Sequence, residues 1–107
     1  MEFVITTQNE SYLAWLRAKG IQGENKGRVS HTDIVHRNVI GHLPHWLAAY
    51  TDTISEIAVP RLSRYEREQM SKGLLSVADM DAAGAHLVTY QVRRVSITHC
   101  EPLPKTA

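Results

Sequence analysis

The chain is predicted to fold as a single α/β domain, with a mostly parallel sheet of four to five strands flanked by helices. Short apolar runs typical of strands buried on both faces recur along the chain as "FVIT", "NVIG" and "EIAVP". Segments with helix signals follow these runs, which is the alternation of a parallel sheet. At 107 residues the chain has the size of one domain, and no linker divides it.

The first quarter of the chain contains one clear strand and one clear helix. "FVIT" (residues 3–6) is the predicted first strand, and a helix is predicted from about Glu10 to Lys19. Asn9 is its expected N-cap and Gly20 its expected stop. The buried stripe of this helix is predicted to be Tyr12, Leu13 and Leu16. The glycine-rich "GIQGENKG" is predicted to be a mobile connection, and "RVSH" a brief second strand.

The middle of the chain predicts a strand, a helix and another strand. "NVIG" (residues 38–41) is the strand, and Pro44 suits the first turn of a helix running to about Thr53. Trp46 is predicted to be a core residue of this helix, on an apolar side shared with Leu47 and Tyr50. "EIAVP" is the next buried strand. A proline closes it, because proline cannot continue a strand ladder.

The last third predicts helices and one long strand. "RLSRYEREQMSKG" is polar, basic and partly helical, and Ser76 with Asp79 resembles a capping box that opens a helix to about His86. "LVTYQVRRVSIT" is the longest β-rich run, and its apolar residues change parity near Arg93 and Arg94, which predicts either a bulge there or a strand that changes partners. The domain is predicted to span residues 1–99, with residues 100–107 a disordered tail.

Composition points to an ordinary globular protein of the cytoplasm. The formal net charge is +1, so no global field attracts duplex nucleic acid or an anionic membrane. A single cysteine, Cys100, allows neither an internal disulfide nor a cysteine-pair zinc site. No signal-peptide pattern or run of about 20 apolar residues is present.

Polar side chains are concentrated where three predicted strands end. Carboxyl ends of parallel strands share one sheet edge, where helix N-termini favour anions. Hydroxyl, amide, imidazole and guanidinium groups without a carboxylate pair suit a phosphate or a ribose. The candidate ligand-binding residues in "TTQN", "GHLPH" and "PRLSR" are Thr6, Thr7, Gln8, Asn9, Gly41, His42, His45, Arg61, Ser63 and Arg64.

Each of these features also has a purely structural interpretation. "TTQN" can be a capped helix start, and His45 can point to solvent from a first helical turn. His42 is better placed, because it lies between a strand end and a helix start. Arg67, with glutamates on either side, is typical of a solvated ion-paired face. His31 and His36 flank Asp33 without the regular spacing of a metal site, so no metal or other cofactor is predicted.

Three segments together resemble a family of small accessory proteins from type III CRISPR loci. "FVITTQNESYLAWLRAKGI", "NVIGHLPHWLAAY" and "LLSVADMDAAGAHLVTYQVRRV" resemble, in order and spacing, the family of the Csx group called Csx sixteen. They cover about half of the chain, whereas "GENKGRVSHTDIVHR" and "RLSRYEREQMSK" align poorly. The resemblance implies a small Rossmann-like (CARF-like) domain.

The resemblance also implies an activity. Such loci make cyclic oligoadenylate as an alarm signal, and members of this group are similar to ring nucleases, typically metal-independent homodimers, that degrade it. Viral anti-CRISPR ring nucleases, a separate group, use an essential histidine, for which His42 is the counterpart candidate. His42 would then be the general acid or a hydrogen-bond donor to the phosphate, with His45 in reserve, and Arg61 or Arg64 would neutralise the phosphate. Ribose or adenine would be held by Thr6, Thr7 and Gln8.

Two other classes of function stay open on the sequence. A binding module could sense or sequester cyclic oligoadenylate with the same residue types, without cutting it. A structural partner of a type III CRISPR complex could use the dimer face for contacts alone. Turnover separates the enzyme from the binding module, and a lack of any ligand-induced shift would indicate the structural partner.

Overall fold

A computed structural model describes residues 2–95, whose strands form one five-stranded sheet. The strands are β1 (Phe3–Ile5), β2 (Gly23–Asn25), β3 (Asn38–Ile40), β4 (Thr53–Ala58) and β5 (His86–Tyr90). Their order is β2-β1-β3-β4-β5, in which the first four run parallel and β5 pairs antiparallel with β4. The predicted α/β class with a mostly parallel sheet is therefore confirmed.

Helices cover both faces of the sheet. They are α1 (Glu10–Ala18), α2 (His31–Ile34), α3 (His45–Ala48), α4 (Arg64–Ser71) and α5 (Val77–Ala82). One core lies between the sheet and α1, α4 and α5, and it contains Ile5, Trp15, Leu16, Ile40, Met70, Leu75 and Met80. The other core lies between the sheet and α2 and α3, and it contains Val4, Ile34, Val39, Leu47, Ala48 and Ile54. No described helix has the length and apolar character needed to cross a membrane.

Side-chain caps set the starts of three helices. The Asn9 Oδ1 accepts hydrogen bonds from the first turn of α1, as predicted, and the Ser76 Oγ accepts one from the Asp79 amide of α5. Ser63 opens α4 through a reciprocal capping box with Glu66. Each cap satisfies amide donors that the first helical turn leaves without a partner inside the helix.

The region between α1 and β3 differs from the prediction. "GENKG" contains strand β2, and "RVSH" is not a strand, because Ser30 instead lies at the N-cap of α2. Every residue of β2 is exposed, so the strand carries no apolar pattern that sequence reasoning could detect. Gly23 lets β2 lie against Phe3, since a Cβ at this position would overlap the Phe3 carbonyl oxygen.

The predicted helix after Pro44 is too long. Helix α3 ends at Ala48 rather than at about Thr53, and β4 begins at Thr53, three residues before the predicted "EIAVP" strand. Pro44 is the N-cap of α3 rather than part of its first turn. Trp46 is 64% exposed, so its predicted place in the core is wrong. A helix of barely one turn buries only the side facing the sheet, which Leu47 and Ala48 occupy.

The C-terminal elements are also shorter than predicted. Helix α5 ends at Ala82 rather than at about His86, because the chain turns through a left-handed Gly84 (φ 86°). Strand β5 ends at Tyr90, so Arg93 and Arg94 lie beyond it and form no bulge within a ladder. The end of the predicted strand and the predicted tail at residues 100–107 lie outside the described residues.

A polar contact joins α1 to α5 and predicts acid sensitivity. The Trp15 indole donates to the Asp81 carboxylate (2.9 Å), and the Lys19 ammonium does so at 3.1 Å. These bonds, the indole first, hold the pKa of Asp81 below its ordinary value of 3.8. Because the unfolded chain then binds the proton more readily, the stabilisation is present above that value and is lost as the pH falls through the folded-state pKa.

Asp81→Asn is therefore expected to lower the urea midpoint at about pH 7, and its deficit relative to the wild type is expected to be smaller at about pH 2. Urea unfolding at both pH values measures the difference. A deficit that is equally large in acid would show that packing, rather than the charge of Asp81, is responsible.

Candidate functional site

A cleft opens at the edge of the sheet where the parallel strands end. The loops after β1 and β3, the end of β4 and the first turns of α1 surround it, with a volume of about 210 Å³. Its lining consists of Thr7, Tyr12, Ile40, Gly41, His42, Glu56 and Ile57. The structure therefore brings together Thr7, Gly41 and His42, three of the residues that the sequence placed at this edge.

Gly41 shapes the cleft because no other residue fits its backbone. Its φ is 149°, and a Cβ at this position would overlap the Thr6 Oγ1. Thr6 is fixed there by hydrogen bonds from its amide and its hydroxyl to the Ile40 carbonyl (2.9 and 3.4 Å). The chain thus leaves β3 in a tight turn that places the next residue, His42, at the rim of the cleft.

His42 and Glu56 form a pair across two adjacent strands. The His42 Nδ1 lies 3.1 Å from the Glu56 Oε1. The histidine side chain is 90% exposed and the glutamate side chain 46% exposed, so both are accessible to a ligand. A carboxylate at Nδ1 favours the tautomer with its proton there, which leaves Nε2 free to face the ligand.

Two lining residues were not predicted from the sequence as functional candidates. Glu56 lies within the apolar string "EIAV" and contacts His42 only because β3 and β4 are neighbours. Tyr12 was predicted to be a core residue of α1, and it is half-buried with its side chain at the cleft. With Ile40 and Ile57 it gives the cleft an apolar floor, which suits a ribose or a base.

Residues 7–9 of "TTQN" form local hydrogen bonds. The Thr7 hydroxyl accepts a hydrogen bond from the Asn9 backbone N–H (3.2 Å), and Thr7 also lines the cleft. The Gln8 side chain donates to Asn25 at the end of β2 (2.8 Å). The Asn9 side chain caps α1 through its Oδ1, and its Nδ2 donates to the Met70 carbonyl (2.8 Å). Only Thr7 from this loop therefore lines the cleft.

The candidate arginines lie outside the cleft. The Arg61 amide donates to the Ala83 carbonyl (3.0 Å), and its guanidinium packs against Gly84 in the turn before β5. Arg64 is the exposed first residue of α4, and Ser63 is the capping residue of that helix. These three residues therefore lie along the same strand-end region, but none lines the cavity that contains His42.

A second cavity, of about 320 Å³, adjoins the first. His45 lies in its wall, together with His42, Leu43, Ala48, Ile54, Glu56, Tyr90, Gln91 and Val92. The pair of His42 and Glu56 is common to both cavities. Of the two histidines in "GHLPH", His42 thus lines both cavities and His45 lines the second.

Comparison with protein-family models, curated proteins and solved structures finds no match for the chain. Within residues 2–95, no group of three or more histidine, cysteine, aspartate or glutamate side chains is placed to hold a metal ion. The geometry at the strand ends and the resemblance noted in the sequence are therefore the grounds for a functional hypothesis.

Proposed function

We propose that the protein is a ring nuclease that cleaves cyclic oligoadenylate without a metal ion. The observation that carries this proposal is the contact of 3.1 Å between His42 and Glu56 at the mouth of the cleft. A histidine oriented by a carboxylate is a common arrangement for proton transfer in catalysis. The resemblance to the Csx group supplies the substrate class. It also supplies the Rossmann-like (CARF-like) assignment, the homodimer and the cytoplasmic location, all of which belong to the proposal.

The reaction needs one proton donor, and the nucleophile is the ribose 2′-oxygen rather than water. The ribose 2′-oxygen attacks the adjacent phosphorus in line while the bond from phosphorus to the 5′-oxygen breaks. The 2′-hydroxyl proton passes to solvent, and the protonated His42 gives the Nε2 proton to the departing 5′-oxygen. His42 then regains a proton from solvent, and the products are a 2′,3′-cyclic phosphate and a 5′-hydroxyl.

Product analysis tests this chemistry directly. Cyclic tetra- and hexa-adenylate incubated with the protein in EDTA are expected to yield linear fragments ending in 2′,3′-cyclic phosphate and 5′-hydroxyl groups. Mass spectrometry distinguishes these ends, because a hydrolytic enzyme that activates water gives fragments heavier by one water. Fragments with only 5′-phosphate ends would contradict attack by the 2′-hydroxyl.

Glu56 acts in this proposal as a positioning residue for His42. Glu56→Gln keeps the size of the side chain but removes its charge, and we expect kcat to fall about 10- to 100-fold with little change in KM. Steady-state kinetics on cyclic tetra-adenylate measure both constants. Glu68→Gln is the matched control, because Glu68 lies on α4, where its partner is Lys72 (3.6 Å).

A binding module is the second candidate function, and one observation favours it. Neither Arg61 nor Arg64 lines the cavities that contain His42, so residues 2–95 of one chain offer no arginine there to stabilise charge on the phosphate. A sequestering protein would retain cyclic oligoadenylate intact, in proportion to its own molar amount. A third candidate, a structural partner of a CRISPR complex, predicts no thermal shift with the ring.

A further inference from the structure

The second cavity lies across the sheet from the first. Ile40 and Ile57 in the first cavity belong to or pack on the core beneath α1, α4 and α5. Ile54 and Ala48 in the second cavity belong to the core beneath α2 and α3. The two cavities therefore lie on opposite sides of the layer formed by β3 and β4.

The pair of His42 and Glu56 forms the boundary between these cavities. Both side chains line both spaces, although the apolar walls are different. The pair lies just beyond the last paired residues of β3 and β4, Ile40 and Ser55, where a ligand can extend past the paired strands from one side of the sheet to the other. A phosphodiester bond has the same organisation, because a nucleoside lies on each side of its phosphorus.

We infer that the second cavity binds the nucleoside on the far side of the phosphate that faces His42, so that the substrate straddles the histidine. The inference rests on the proposed function and identifies the recognised unit as a dinucleotide step of single-stranded RNA. Tyr90 is the side chain in this cavity suited to stacking on a base. It is 50% exposed at the end of β5, and it pairs across the ladder with Ile54.

Polar groups in the second cavity complete the case for a nucleoside. His45 and Gln91 are exposed and lie in the same wall as Tyr90. An amide and an imidazole can donate to or accept from the edge of a base, whereas Leu43 and Val92 supply apolar contact. An aromatic ring, an apolar wall and a few polar groups are the usual elements of a site for an unstacked base.

Measuring the affinity for a ring that cannot be cleaved tests the inference. The probe is 2′-O-methylated cyclic tetra-adenylate, which lacks the attacking hydroxyl, and calorimetry gives its Kd. Tyr90→Ser is expected to raise the Kd about 5- to 100-fold, because one base loses its stacking partner. Tyr90→Phe keeps the ring and should bind like the wild type. Tyr65→Ser is the matched control, because Tyr65 is 69% exposed on α4 and lines neither cavity.

Kinetics on the unmodified ring provide the second measurement. Tyr90→Ser is expected to raise KM by a similar factor and to leave kcat within about twofold, because stacking on the base involves none of the reacting atoms and is therefore uniform binding. A wild-type Kd and KM for Tyr90→Ser, in a protein that cleaves the ring, would overturn the second nucleoside site and leave the proposed function intact. Failure of the wild-type protein both to bind the methylated ring and to cleave the unmodified ring would overturn both.

Discussion

Replacement of His42 by alanine is expected to reduce ring cleavage about 10²- to 10⁴-fold, the usual contribution of a positioned acid. The side chain is 90% exposed, and its contact with Glu56 is at the rim of the cleft, so the fold does not depend on it. Single-turnover rates at saturating protein measure the loss in the chemical step. The melting temperature and the Kd for the methylated ring should remain close to those of the wild type.

His45→Ala is the matched control for this experiment. His45 is exposed, begins α3 three residues after His42 and lines only the second of the two cavities, so its loss should alter affinity more than the rate of cleavage. A wild-type rate for His42→Ala would remove His42 from the reaction. A rate lost only in His45→Ala would transfer the role of acid to His45.

Gly41→Ala is expected to destabilise the protein by about 2–5 kcal/mol, from backbone strain combined with overpacking. The residue has a φ of 149°, and its new Cβ would overlap the Thr6 Oγ1. Such a loss is a large fraction of the 5–15 kcal/mol by which an ordinary domain is stable. Urea unfolding followed by circular dichroism measures the change in the free energy of unfolding.

Gly20→Ala separates the cost of backbone strain from the cost of steric overlap. Gly20 also has a left-handed backbone (φ 73°), but nothing lies within 4 Å of the position where its Cβ would be. It should therefore cost only about 1–2 kcal/mol, the backbone penalty. Adding Thr6→Ala to Gly41→Ala should recover part of the loss, because it removes the overlapping oxygen. Equal losses at Gly20 and Gly41 would contradict the role assigned to Thr6.

Strands with continuous apolar runs were predictable from the sequence, and so was the class of the fold. "FVIT" and "NVIG" form adjacent parallel strands because both are buried between two layers of helices. The exposed edge strand β2 was not predictable, because its Gly23, Glu24 and Asn25 carry neither apolar character nor β-branching. The length of α3 was also overestimated, since "HWLAAY" has helix-forming residues on all sides and no recognisable stop.

The candidate site was predictable only where it depended on strand ends. His42 was found because it directly follows an apolar strand, and the cleft does lie there. Glu56 could not be found, because its contact with His42 depends on which strands are neighbours. Asn9 and Ser63 were predicted to bind a ligand, yet their side chains cap helices, a role that the same residue types fulfil equally well.

The number of rings cut by each protein chain tests the central claim most directly. Labelled cyclic tetra-adenylate in large molar excess, with EDTA present, is followed by chromatography over time for the wild type and for His42→Ala. The wild type is expected to convert many rings per chain to linear products, and His42→Ala to convert almost none in the same period. Retention of intact ring in amounts equal to the protein, with no linear product, would contradict catalysis by His42 and Glu56 and would leave a binding module.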